Sequence, residues 1–417
     1  MAGWLVLEYY RDARFEALKA KAVQIHRPES IELGPEVDPD SIAPGAVIHP
    51  GCRIHGKSTV ILKGARLGEE APVTIEDCQV GPRVELKGGY FRQSTFLDKS
   101  NVGSGAQVRE ACLLEEEANG AHSVGVKQTI LLPFVTLGSL INFCDVLMAG
   151  GTNRRDHSEV GSSYIHFNFT PNKDKATASR VGDVPRGVML RERAIFLGGQ
   201  GGLVGPSVIG YGSVIAAGVI CRGEVGERRL VFGDAQERKE VNYLPGVYFE
   251  IGRKVRRNLS YIGNLVALRQ WYLDVRRRFF TTDTLAQALY AGAVAKVEMA
   301  LDERISRLRG LAENMPESIR ACMAAPDGKA SSHLIAQKEE FHRMWPAVED
   351  QLSGARVYAG EERAREDFLR QFEINSGPNY IDSIRTLEEP QRAAGTIWLQ
   401  GIVDMVVHRA LEKLPSL

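Results

Sequence analysis

Leu203, Ile209, Ile215 and Cys221 recur at intervals of six through LVGPSVIGYGSVIAAGVIC, and that interval restricts the fold more than any other feature of the chain. An amphipathic helix repeats its apolar face at about 3.6 residues and a half-buried strand at about 2, so neither accommodates an apolar row at six with Gly and Pro between. A hexapeptide solenoid does. Each hexad supplies a short strand and a turn, three hexads complete a triangular coil, and the sixth residue points into a shared core. Gly205, Gly210, Gly212 and Gly218 then fall where the chain turns a corner or packs closely.

The same register extends upstream. Ile42, Ile48 and Ile54 are spaced by six, Ile61 follows after a slip of one residue, and Leu67 returns to six. Val80 and Leu86, Val102 and Val108, and Val124 and Ile130 continue in pairs, the gaps between pairs marking insertions at coil corners. These positions predict a mainly β solenoid over 39–226. Residues 1–38 carry one helix over 11–21 and an acidic, Pro-containing lead-in, a cap for the open end of the first coil. Beyond Glu224, Gly and β-branched residues give way to Arg, Leu, Ala and Glu with helical periodicity. Residues 227–417 are therefore expected to be an α-helical C-terminal domain. Its helices are predicted over 259–279, from Asp283 or Thr284 past Leu308, and over 332–345, 361–373 and 396–414, punctuated by Pro316, Pro346, Pro378 and Pro390. A region of that size can hold its own core, which predicts that the solenoid folds without it.

Composition narrows the function. With 52 basic and 52 acidic residues in 417, the chain has no electrostatic reason to bind nucleic acid. Six scattered cysteines, without CxxC or a His pair at zinc spacing, read as apolar packers in a reducing compartment and give no metal site. No stretch is long and apolar enough for a membrane span, and the N-terminal residues lack signal-peptide character, so a soluble, cytoplasmic protein is expected. Neither GxxxxGK[ST] nor GxGxxG occurs, and the Gly-rich run at 198–205 leads into hexads instead of a helix.

What remains for chemistry are two irregular stretches, NFCDVLMAGGTNRRDHSE over 142–159 and FNFTPNKDKATASRVGDVPRGVMLRER over 167–193. Polar insertions on a rigid scaffold are where binding residues concentrate. Arg154, Arg155 and Lys173 are candidates for a phosphate, which paired charge-assisted hydrogen bonds recognise. His157 is the candidate general base, because Asp156 or Glu159 can orient an imidazole that titrates near neutrality. His166 alternates with Ile165 and Phe167 on a strand and is expected to face solvent or a neighbouring coil.

Within residues 124–222, IFLGGQGGLVGPSVIGYGSVIAAG and the set Gly161, Asn168, Phe169, Asn172, Lys173 and Thr177 carry a resemblance. They resemble the terminal coils and the G-x-G-T…N-Y…N-K…T segment of the bifunctional bacterial enzymes that acetylate glucosamine-1-phosphate and then uridylylate it. The resemblance implies a left-handed parallel β-helix that forms a homotrimer, with sites in the clefts between neighbouring helices. It implies acetyl-CoA or another acyl-CoA as co-substrate and a sugar phosphate or nucleotide sugar as ligand. Asn168 and Lys173 then match substrate-binding residues, and Phe169, Gly199 and Ala217 match positions on the CoA side. Gly199 stands where the family has a Ser, and Glu159 where it has a substrate-binding Asn.

The main departure lies at the family's N-H-[LT] turn, whose His removes a proton from the sugar amine. Here Asn142 is followed by Phe143, and alignment back from Asn168 brings Asp145 or Val146 to the place of that His. The uridylyltransferase half and its Gly-rich loop have no counterpart in this chain. Two readings follow: a trimeric hexapeptide acyltransferase, or a catalytically inactive ligand-binding or scaffold protein that recruits a partner through the helical domain.

Overall fold

The computed structural model describes residues 13–172, 174–233, 240, 243–281, 283–324, 331–374 and 379–417. Its first two hundred or so residues form a parallel β-helix whose short strands stack into three faces, and its C-terminal part is helical. Face one is an 11-stranded parallel ladder running from Gln24–Ile25 to Leu230–Val231. Face two begins at Glu32–Leu33 and passes through Arg53–His55 and Val73–Glu76; face three begins at Val60–Ile61 and passes through Gln79–Val80 and Ser94–Phe96. The two faces merge into one sheet because strands such as Asn142–Met148 bend round the corner between them. Asp145 makes that bend with φ of 62°, as Gln128 does one coil earlier with φ of 51°. The expected left-handed β-helix followed by helices is what the chain forms.

The hexad residues named above, from Ile42 to Cys221, are all at most 5% exposed. Ile130, however, is buried from the other side. It pairs in register with Leu113, which pairs with Thr95, which pairs with Gln79. That row points out of the β-helix, toward helices, while its neighbours Val80, Phe96, Leu114 and Leu131 point in. Over these coils face three is thus buried on both sides, and the apolar doublets Leu113-Leu114, Ile130-Leu131 and Leu147-Met148 are the sequence signature.

The helices of the C-terminal part are α1 (Ile251–Asp274), α2 (Thr284–Glu313), α3 (Met315–Ala324), α4 (Ser332–Ala355), α5 (Glu362–Ile374), α6 (Tyr380–Arg385) and α7 (Glu389–Leu411). Asp283 caps α2 by accepting the Ala286 N–H, as its position predicts. Pro346 lies inside α4 instead of ending it, and Pro390 starts α7 in the first turn, where a missing N–H costs nothing. α1 is buried on almost every side, between α2, α7 and the β-helix. α2 lies along face three, so close that a Cβ at Gly292 would stand 2.2 Å from Gln79 Oε1.

This arrangement differs from the expectation of an independent helical unit. One continuous apolar core runs from Phe15 through the coils to Leu414. Buried polar links cross the junction: Arg276 grips Glu116 at 2.6 and 3.0 Å, Tyr272 donates to Glu115 at 2.6 Å, and Arg304 pairs with Asp145 at 2.6 Å. At the other end, a helix over 13–20 packs its Phe15 and Leu18 into the core, and Gln24–Ile25 already pairs with Val47–Ile48 as the first rung of face one. The first residues of the helix predicted over 11–21 lie outside the described residues.

Candidate functional site

Both irregular stretches hold corner insertions, and the candidate residues of each lie at different edges of the prism. The first forms a hairpin, Gly151–Asn153 against Asp156–His157, at the edge between faces three and one. The second forms a loop over 168–178, between the Ile165–Phe167 strand of face two and the Ser179–Val181 strand of face three. Gly199 and Ala217 lie on the remaining edge, between faces one and two. A single chain therefore does not gather the predicted residues into one pocket.

On the hairpin, Arg154 is committed to structure. Its guanidinium donates to the carbonyls of Glu117 and Phe134 and to Thr136 Oγ1, at 2.7 to 3.0 Å. Arg155 is exposed at the turn. His157 is half-buried, with Nε2 3.8 Å from Glu159 Oε2 and Nδ1 buried without a partner. Asp156 does not orient it, because that carboxylate accepts from Thr152 Oγ1 at 3.0 Å.

On the loop, Asn168 Oδ1 accepts from Thr177 Oγ1 at 2.7 Å, closing the loop on itself, and Phe169 is 67% exposed. Lys173 lies outside the described residues. The loop is held by the helical region through residues that the sequence reading passed over. Gly246 N–H donates to Asn172 Oδ1 at 2.9 Å, Lys254 pairs with the buried Asp174 at 2.6 Å, and Asn258 donates to the Ala176 carbonyl at 3.1 Å. No local pattern announces these contacts, since the partners are about eighty residues apart.

The place of the family's base is closed. Val146 is fully buried, and Asp145 is covered by α2, where Arg304 holds it. Burial raises the Asp145 pKa and Arg304 opposes that rise. Neither position can offer a base to a sugar amine from outside the fold.

His166 does not face solvent. It points into the core beside Phe143, with Nε2 2.8 Å from Ser179 Oγ, and burial lowers its pKa from 6.5 to about 4. A buried neutral imidazole makes stability depend on acid. The unfolded chain binds the proton below pH 6.5 and the folded chain only below about 4, so stability falls as pH drops through that window, by about 3 kcal/mol in all. Thermal melts between pH 7 and pH 4.5 should show His166→Gln with a flatter pH dependence than wild type; parallel curves would remove His166 as the cause.

On the third edge, the corners stack tightly. A Cβ at Gly199 would stand 2.7 Å from the Ser162 carbonyl oxygen, so the Ser of the family has no room here without a backbone shift. Ala217 is exposed. A cavity of about 880 Å³ lies elsewhere, between coil corners and the ends of α2 and α6. Two of the basic groups there are paired with acids, Arg83 with Asp98 and Lys99 with Glu117. Among the described residues no group of three or more His, Cys, Asp or Glu is placed to hold a metal, and no helix is long and apolar enough to cross a membrane.

Fold and corner insertions together define a left-handed β-helix built on a six-residue repeat, with polar loops at its edges. Known proteins of similar sequence are bifunctional. The chain is 27% identical over 238 residues to the bifunctional protein GlmU of Thermotoga sp. (strain RQ2), covering 56% of this chain and 47% of that one. It is 28% identical over 233 residues to the bifunctional protein GlmU of Carboxydothermus hydrogenoformans, covering 55% and 46%, and 28% identical over 191 residues to that of Acinetobacter baumannii, covering 41% and 38%. The chain spans about half the length of the first two of these curated relatives. No family model matches it. Its β-helix resembles the acetyltransferase half of GlmU.

Proposed function

We propose that this protein is an acyltransferase-like β-helix that binds a sugar phosphate or nucleotide sugar, with an acyl-CoA as co-substrate, and is a poor catalyst of amine acetylation. The observation that carries the second part is the burial of Asp145 against Arg304 beneath α2, where the family resemblance calls for an accessible His. Loss of a general base costs about 100-fold to 10,000-fold in rate. Binding keeps more of its parts: Asn168, the exposed Phe169 and, by resemblance, Lys173. Because the candidate residues lie on three edges of one prism, a complete site on this reading needs a second copy, as in a homotrimer that brings edges of neighbouring chains together. The setting is cytoplasmic, where acetyl-CoA and nucleotide sugars are available.

A second reading is a catalytically inactive scaffold that recruits a protein partner through the helical region. It is favoured by the structural employment of Arg154 and by the lack of room for the family's Ser at Gly199. A thermal-shift series with UDP-N-acetylglucosamine, glucosamine-1-phosphate and acetyl-CoA separates the two, since a ligand that binds only the folded state raises the melting temperature. Stabilisation that is weakened by Lys173→Ala and Asn168→Ala supports the ligand-binding reading. No shift with any of the three supports the scaffold. If wild type transfers acetyl groups, His157→Ala should abolish turnover while leaving the shift intact. Light scattering that returns a monomer at micromolar concentration would remove the shared site.

A further inference from the structure

Helices α3 and α4 meet around a lysine. Lys338 is fully buried, with Nζ 2.9 Å from Ser318 Oγ and 2.9 Å from Cys322 Sγ. Among the described residues no carboxylate stands within ion-pair distance of it. A buried ammonium is costly without an anionic neighbour, and the one partner here able to carry negative charge is the Cys322 sulfur. Ser318 is already engaged, since its oxygen accepts the Tyr248 N–H at 3.2 Å.

Cys322 also differs in access from Cys78 and Cys112 of the β-helix. Cys78 and Cys112 are sealed in the core, where burial pushes their thiols up to about 11 and about 12, beyond useful thiolate chemistry. Cys322 retains 3% exposure and adjoins Met323, which is 65% exposed, so a small oxidant has a short way in.

We propose that Cys322 and Lys338 are a modification site, a pair that hydrogen peroxide converts into a covalent Sγ–Nζ bridge joining α3 to α4. The Cys322 sulfur attacks one peroxide oxygen and the O–O bond breaks. The departing hydroxide takes a proton from the Lys338 ammonium and leaves as water, giving a sulfenic acid beside a neutral amine. That amine attacks the sulfur, the S–N bond forms, and the S–O bond breaks as the oxygen departs with an amine proton as a second water. In sum, one thiol, one amine and one peroxide give a sulfenamide and two waters; sulfur loses two electrons and peroxide gains them. The distance of 2.9 Å places the amine against the sulfur before oxidation begins, ahead of any nucleophile that must diffuse in.

The test treats the full chain with hydrogen peroxide, digests it without reductant and maps the peptides by mass spectrometry. The expected product is a linked pair joining the Cys322 and Lys338 peptides, about 2 Da lighter than their sum and released by dithiothreitol. Lys338→Met fills the same space without the buried charge and should stop at the sulfenic acid, trapped by dimedone. Cys322→Ser should give neither product. The inference is overturned if wild type, folded by circular dichroism, keeps Lys338 free while Cys322 stays a thiol or advances to sulfinic acid.

Discussion

A chain ended after Arg228 is expected to collect in the insoluble fraction. The outward row of face three holds Leu113, Ile130 and Leu147, each fully buried by the helical region. Removing that cover exposes about 2 kcal/mol of apolar burial per side chain, in one contiguous strip along the coils. Such strips associate. A soluble, β-rich product by circular dichroism would show that the β-helix carries its own stability and that α1 and α2 merely lean on it. Composition alone points to that outcome, because the change after Glu224 looks like a boundary between independent units. The shared core argues against it.

The second large effect is expected at Arg304. Arg304→Met leaves the Asp145 carboxylate buried without its cation, which costs about 3–5 kcal/mol. Asp145→Asn/Arg304→Met should recover much of that loss, since Asn tolerates the left-handed backbone at 145 and no charge is left unpaired. Urea midpoints of the single and double variants check this. A double variant no more stable than Arg304→Met would mean that the pair is not coupled. The same experiment bears on function, because restoring stability without a base at 145 should not restore acetyl transfer.

The inward faces were legible because a solenoid repeats one local environment, and each hexad residue answers only to its neighbours above and below. Ile130 shows the limit of that reading. Its spacing from Val124 fits the repeat, yet its burial comes from helices whose residues lie far along the chain. The doublets at 113–114, 130–131 and 147–148 carried the missing information, for a strand wetted on one side has no use for apolar residues at adjacent positions. The candidate site was less legible. Arg154 and Arg155 look equivalent in sequence, but only a folded corner reveals that Arg154 spends its donors on backbone carbonyls. The alternation of His166 with apolar Ile165 and Phe167 points it toward solvent or a neighbouring coil. The alternation was right and its sense inverted: Ile165 is 39% exposed while His166 is buried.

The separation between partners at the junction also sets an order of events during synthesis. Coils contact the next coil, so the β-helix can grow as the chain emerges, at low contact order. Glu116 waits for Arg276, which is 160 residues later, and Asp145 waits for Arg304, 159 residues later. Until then the nascent chain presents an uncovered apolar strip flanked by acids, the kind of surface on which other nascent chains and chaperones act. Docking of the helices, whose residues are made last, therefore has to outpace association of the strip with other chains.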